Sequence, residues 1–419
     1  MKVLLQNIKE LLQTEEVPRL KVAGAEMASL PAIKDAFLLI NDEVIEDFGP
    51  MADMSRISFD NELLLEIDCR NRLVLPAWCD AHTHLVFAAA REQEFVDRIK
   101  GLTYQEIADR GGGILNSARR LHEMPEDDLY ADALERINQV MRFGTGAIEI
   151  KSGYGLNTED ELKMLRVIRR LRQTTSMHIR ATFLGAHAVP EKYKGDRSGY
   201  VDLIINEMIP AVAEEGLAEF VDVFCETGYF TPSETGRIVQ SAADHGLLAK
   251  LHANEMGFSG GVQVGVAHQA LSVDHLEYVG DQEIDLLLNS HTMPTLLPGA
   301  SFFLKMPYAP ARKMIDAGLP VALATDFNPG SSPSGNMNFI TSLACLYMNM
   351  LPEEAINAAT INGAYAMGIS DRLGSIGRGK VANILITKEI TDASSIPYSF
   401  GSNPIDSLIL NGELQSFLS

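Results

Sequence analysis

With 46% hydrophobic and 22% charged residues, the 419-residue chain has an ordinary globular balance and ample material for a core. A formal net charge of −21 argues against nucleic acid or an anionic membrane as partner, although a local positive pocket can sit inside such an envelope. The four cysteines (Cys69, Cys79, Cys225, Cys345) have no paired spacing, so a disulfide framework is not expected and a cytoplasmic setting is. Residues 1–20 lack the unbroken apolar run of a secretory signal, and no run elsewhere approaches bilayer length.

In chain order, 37–40, 44–45 and 63–67 are short strand candidates separated by Asn-Asp and Gly-Pro turn signals. From residue 74, apolar runs alternate with helical patterns. The strand candidates are 74–77, 147–150, 179–183, 220–224, 248–251, 271–273, 293–297 and 319–324, several near-continuously apolar as in buried parallel strands. Gly111-Gly112-Gly113 reads as a lid or loop, too weak a motif for a phosphate cradle. Pro125-Glu126-Asp127-Asp128 opens a helix with Leu129, Ala133, Ile137 and Val140 on one side. Thr158-Glu159-Asp160-Glu161 resembles a capping box, followed by Leu162, Leu165, Ile168 and Leu171 at helical spacing. Pro352-Glu353-Glu354 starts a third helix towards Gly368, and 381–386 and 408–410 are strands again.

Eight strands alternating with helices predict a TIM-type (β/α)8 barrel over residues 73–375. The flanks, 1–72 and 376–419, predict a small β-sandwich domain built from both chain ends. A doubly wound sheet is the alternative, and periodicity alone does not separate the two.

Asp80-Ala81-His82-Thr83-His84 follows the first predicted barrel strand. Histidines at i and i+2 on extended backbone face one side and can reach one ion; imidazole suits zinc, iron and nickel. Alone, such a pair more often sits on a half-buried strand end. Later strand ends shift the balance. His252 ends one, with Glu255 three residues on, where a general base belongs; alone, Glu255 would read as a solvated helix cap. His275 ends another and is, in isolation, equally a hydrogen-bonded core histidine. Asp326 ends an apolar strand, where an unpaired carboxylate is costly.

The order Asp-x-His-x-His, His-x-x-Glu, Asp-His and strand-end Asp resembles the amidohydrolase superfamily, in its mononuclear branch. The closing stretch 374–383, Gly-Ser-Ile-Gly-Arg-Gly-Lys-Val-Ala-Asn, is also similar, with Asn383 where the family usually has Asp. Four longer segments narrow the resemblance: 87–95 (Phe-Ala-Ala-Ala-Arg-Glu-Gln-Glu-Phe), 149–156 (Glu-Ile-Lys-Ser-Gly-Tyr-Gly-Leu), 182–190 (Thr-Phe-Leu-Gly-Ala-His-Ala-Val-Pro) and 324–333 (Ala-Thr-Asp-Phe-Asn-Pro-Gly-Ser-Ser-Pro). They are similar to members that open the ring of 4-imidazolone-5-propanoate to give N-formimidoyl-L-glutamate. Ala77 stands where Gly is commoner, and Cys79 reads as a packed strand residue.

The resemblance implies one zinc or iron ion per subunit held by His82, His84, His252 and Asp326, a homodimer, Glu255 moving the proton, and His275 stabilising charge or orienting the nucleophile. It further implies that Tyr154 and His187 contact the ring and carboxylate, with Asn328, Gly330 and Ser331 lining the rest. Arg91 fits the propanoate, since a guanidinium grips a carboxylate with two charge-assisted bonds; a surface arginine is the commoner case. Gly153 and Gly155 flank Tyr154, either for close approach to a ligand or as ordinary loop glycines. A carboxylated Lys151 bridging two metals is rejected, and a basic residue ending a strand is otherwise unremarkable. A guanine or cytosine deaminase would use the same metal set but lacks a propanoate, so Arg91→Ala separates it. A non-catalytic barrel with a structural ion is separated by Glu255→Gln.

Overall fold

The computed structural model describes residues 2–56, 64–102, 106 and 112–416. Gly111 of the glycine run lies outside them. Two eight-stranded sheets organise the chain. The first takes β1 (Lys2–Leu12), β2 (Ala32–Asn41), β3 (Val44–Pro50), β4 (Leu64–Asp68) and β5 (Arg72–Pro76) from the amino-terminal side. The second runs through β6 (Trp78–Asp80), β7 (Thr145–Lys151), β8 (His178–Ala186), β9 (Phe220–Cys225), β10 (Leu248–Ala253), β11 (Ser272–His275), β12 (Met293–Leu296) and β13 (Ala322–Leu323). The chain then returns to the first sheet with β14 (Ile384–Glu389), β15 (Ile405–Leu410) and β16 (Glu413–Leu414).

In the second sheet every neighbouring pair is parallel and spatial order follows chain order. Closure comes just beyond β6 and β13, where Thr83 bridges Phe327 and the amides of His84 and Asp326 reach the carbonyls of Phe327 (2.9 Å) and His82 (3.0 Å). Uniform order with closure is a barrel and rules out the doubly wound alternative.

The expected first barrel strand at 74–77 belongs elsewhere. Residues Arg72–Pro76 pair with β1 and β14 in the first sheet, and the barrel begins one residue later. The amide of Ala77 still reaches Asn383 of the flanking sheet (2.9 Å), whereas that of Trp78 reaches Gly144 of the barrel (3.0 Å). An apolar run that crosses between sheets carries no local mark of the change. A strand absent from the sequence reading, β1, is the hub of the first sheet, pairing with β2, β4 and β5. Its inward residues, Val3, Leu5, Ile8 and Leu11, are not at strict period two; between Leu5 and Ile8 the register shifts and Asn7 sits at φ 55°. These residues share a core with Ala36, Leu38 and Ile40 of β2, Ile45 and Phe48 of β3, Val74 of β5, Ile384 and Ile386 of β14 and Ile409 of β15. One sheet can enclose such a core without helices only by folding over itself.

The helix Glu126–Arg142 buries Leu129, Ala133, Ile137 and Val140, as the spacing predicts. Thr158–Thr174 is capped by Asn157, whose side chain accepts from the Asp160 amide, and Glu161 turns away from the cap to another duty. The third helix is two, Pro352–Ala359 and Ile361–Ala366, broken at Thr360 (φ −121°, ψ −91°), whose hydroxyl donates to the Ile356 carbonyl (2.6 Å). Among the described residues no helix is long and apolar enough to cross a membrane.

Candidate active site

All the strand-end candidates meet at the carboxyl end of the barrel. His82 and His84 lie just past β6, His252 within β10, His275 at the end of β11 and Asp326 three residues past β13. The chain must turn sharply there: Asn254, His275, Leu276 and Asp326 all have φ between 53° and 84°. Non-glycine residues in that region cost free energy and cluster at functional sites. Asn254 is suited to it, and its amide closes the turn by donating to the Tyr278 carbonyl (2.9 Å), which brings Glu255 back over the site.

Ligand atoms of His82, His84 and His252 lie within 4.8 Å of one another, as do those of His82, His275 and Asp326. Asp326 Oδ1 is 3.6 Å from Nε2 of both His82 and His84. Burial, reinforced by Lys151 for His82 and by His187 for His84, holds both imidazoles well below their ordinary pKa, so they present lone pairs. Burial raises Asp326 to about 6, and His82 Nε2 is buried without a hydrogen-bond partner among the described residues. Neutral imidazoles, a carboxylate whose charge burial disfavours and an orphaned ring nitrogen fit a metal ion. Glu255 is 3.8 Å from His275 Nε2, and Glu277 is 3.6 Å from its Nδ1. Burial opposes charge on His275, but these two carboxylates override it and hold the ring well above its usual range. Glu255 is itself raised, by burial first and then by Glu277.

A cavity of about 530 Å³ opens above these groups, lined by His84, His252, His275, Asp326 and Glu255, and also by Arg91, Tyr154, His187, Asn328, Gly330 and Ser331. His82 lies beneath it, fully buried. Arg91 pairs with Glu94, and its guanidinium lies so close to Gly330 that a Cβ there would come 2.2 Å from Nη1. His187 stacks on His84 at 5.2 Å, and its Nδ1 faces the Gly153 carbonyl at 2.9 Å. A carbonyl only accepts, so Nδ1 carries the proton and Nε2 is an acceptor. Gly153 (φ 111°) is required by that contact, since a Cβ would sit 2.9 Å from His187 Nδ1. Asn328 has no spare polar group. Its oxygen accepts from Gly330 and Ser331 (2.8 and 2.7 Å), and its nitrogen donates to Asp326 O and Ser331 Oγ (2.7 and 2.6 Å).

A model of the amidohydrolase family matches residues 73–414. The chain belongs to that family. An imidazolonepropionase of Christiangramia forsetii is 56% identical over 414 residues, 99% of this chain and all of that protein. One of Flavobacterium johnsoniae is 56% identical over 98% of this chain and 99% of that protein. Among solved structures, the guanine deaminase of E. coli superposes with a TM-score of 0.76 at 15% identity, covering 99% of each chain. A triazine hydrolase variant gives 0.76 at 16%, covering 99% of this chain and 94% of that one. Likeness at that identity concerns the fold alone.

Several residues that shape this amidohydrolase site were given no role in it by sequence. Arg98 and Lys305 also line the cavity. Arg98 was findable, being two helical turns from Arg91 on the helix Glu92–Ile99. Glu161 pins the Tyr154 loop by accepting from the amides of Gly153, Gly155 and Leu156 (3.0, 2.8 and 2.9 Å). Asp80 accepts from both the amide and hydroxyl of Thr325 (2.9 and 2.6 Å), fastening β6 to the end of β13. Lys151 is far from unremarkable: it is fully buried, ion-paired to Glu149 (2.6 Å) and Asp222 (2.9 Å). Cys79 is a packed residue whose burial pushes the thiol up to about 12. Asn383 lies at the opposite end of the barrel, donating to Gly146 O (3.0 Å) and accepting from the Asn411 amide (2.9 Å).

Proposed function

We propose that this amidohydrolase is an imidazolonepropionase, hydrolysing the ring C–N bond of 4-imidazolone-5-propanoate to N-formimidoyl-L-glutamate in histidine degradation. The observation that carries the reading is 56% identity to relatives of that name over essentially the whole of both chains. In this reading His82, His84, His252 and Asp326 hold one zinc or iron ion per subunit, in a cytoplasmic homodimer. When bound, the ion supplies Lewis acidity that makes water a stronger acid near neutral pH and polarises the ring carbonyl.

Glu255 takes a proton from the attacking water as its oxygen bonds to the ring carbonyl carbon, then delivers it to the ring nitrogen as the C–N bond breaks. A buried carboxylate with a raised pKa suits both halves of that transfer. His275, held between Glu255 and Glu277, carries positive charge beside the developing oxyanion. Arg91 binds the propanoate, its guanidinium oriented towards the cavity by its pairing with Glu94. His187, protonated on Nδ1, accepts at Nε2 from a ring N–H, so it reads the ring and not the carboxylate. Tyr154 packs 5.5 Å from His187 and closes the wall. Asn328 shapes the loop so that Gly330 and Ser331 meet the substrate.

The test is loss of imidazolone absorbance on adding the purified chain, with metal analysis of the same sample. Turnover with about one equivalent of zinc or iron is expected. Absence of turnover by the metal-replete chain, or equal turnover of guanine or cytosine, would overturn the assignment.

A further inference from the structure

The interior of a (β/α)8 barrel is ordinarily filled by branched apolar side chains. Directly beneath the cluster of His82, His84 and His252 this barrel instead buries Glu149, Lys151, Asp222, Lys250 and Asp274, all with zero exposure. Strand alternation puts them there: Glu149 and Lys151 are two apart on β7, and Lys250 and His252 two apart on β10. Packed hydrophobic residues of similar volume are generally at least as stabilising as buried ion pairs, so stability does not explain the cluster. Its contacts do. His82 Nδ1 is 2.6 Å from Asp274 Oδ2, and His252 Nδ1 is 2.9 Å from Asp222 Oδ2. Lys151 Nζ reaches those same two oxygens, at 3.6 Å and 2.9 Å. Lys250 pairs with Glu149 and donates to the carbonyl of Ala81 (3.0 Å), the residue before His82.

We infer that Lys151 is a positioning residue for metal retention: one ammonium cross-braces the two carboxylates that orient His82 and His252, with Glu149 and Lys250 completing the brace. The inference rests on the metal-site reading above. Carboxylates behind metal-ligating histidines fix the tautomer and ring orientation, and their loss typically weakens metal affinity by about 10- to 100-fold. Here a single side chain links two such pairs on different strands, so it controls both rings together.

The experiment titrates zinc from the full-length, zinc-loaded chain with a chromophoric chelator. Wild type, Lys151→Met, Asp274→Asn and the double variant are compared, and each metal-free protein is melted in parallel. Each single change is expected to weaken zinc binding by about 10- to 100-fold. The double variant is expected to bind no more weakly than the weaker single, because both changes break one brace. Unchanged affinity in Lys151→Met, even with a lowered melting temperature, would make that lysine merely structural and overturn the inference; so would multiplicative losses in the double. If Lys151→Met does not fold, Lys151→Gln is titrated in its place, and unchanged zinc affinity in that variant overturns the inference. A wild type that holds no zinc would instead sink the metal-site reading.

Discussion

Replacing Glu161 by Gln perturbs the site without touching any proposed ligand or proton carrier. The carboxylate is buried and accepts three amide hydrogens: Oε1 takes Gly155 and Leu156 at 2.8 and 2.9 Å, and Oε2 takes Gly153 at 3.0 Å. A glutamine keeps the two bonds at Oε1 but turns an NH2 group towards the Gly153 amide, so one charged hydrogen bond becomes a donor–donor contact. The opposite amide orientation would lose two bonds instead. One lost bond to a charged group costs roughly 1.5–3 kcal/mol. The penalty falls on the loop that carries Tyr154 and whose Gly153 carbonyl fixes His187. If it is felt wholly in substrate binding, kcat/KM falls by about 10- to 150-fold, mostly through KM, with metal content unchanged. Initial rates of imidazolone consumption across a substrate series measure this, alongside a thermal melt. A melting temperature that drops while kcat and KM stay put would refute the reasoning, since Glu161 would then merely support the start of its helix.

Glu255→Gln is expected to lower kcat by about 10²–10⁴ while metal analysis still finds the ion, because proton transfer and not ligation is removed; near-normal turnover would exclude Glu255 as the proton carrier. Arg91→Ala should raise KM for the propanoate substrate, costing roughly 1.5–3 kcal/mol in kcat/KM, and an unchanged kcat/KM would move the carboxylate site elsewhere in the cavity, to Arg98 or Lys305. Removing the ion with a chelator should abolish turnover, with recovery on adding zinc or ferrous iron; activity that survives complete metal removal contradicts the proposed chemistry. Asn383→Asp should destabilise the fold by roughly 1–3 kcal/mol, since an ionised Asp cannot donate to the Gly146 carbonyl. Its kinetic constants should not move, and a kinetic defect would show that the far end of the barrel communicates with the site.

The strand-end residues of the site were legible because their signals are local. His82 and His84 share a side by strand alternation, Glu255 follows His252 by three residues, and Asp326 is an acid at the end of an apolar strand. Seven of the eight barrel strands were likewise readable as apolar runs, and the helix Glu126–Arg142 as a periodic face. Where local pattern and pairing partner diverge, sequence misled: residues 74–77 are as apolar as any barrel strand yet pair with β1 and β14, and the bulge at Asn7 broke the alternation that would have revealed β1. Glu161 read as part of a helix cap, although its acceptors are spent on a loop five to eight residues earlier.

By itself, then, the sequence determined which chemical groups stand at the ends of the strands, because side-chain type and strand or helix period are properties of a short stretch of chain. Only the tertiary structure decided what lies behind them. Lys151 meets Asp222 and Asp274 across strands β7, β9 and β11, partners 71 and 123 positions away in the chain. Strand closure alone brings such charges together, and their pairing is what makes burying them tolerable.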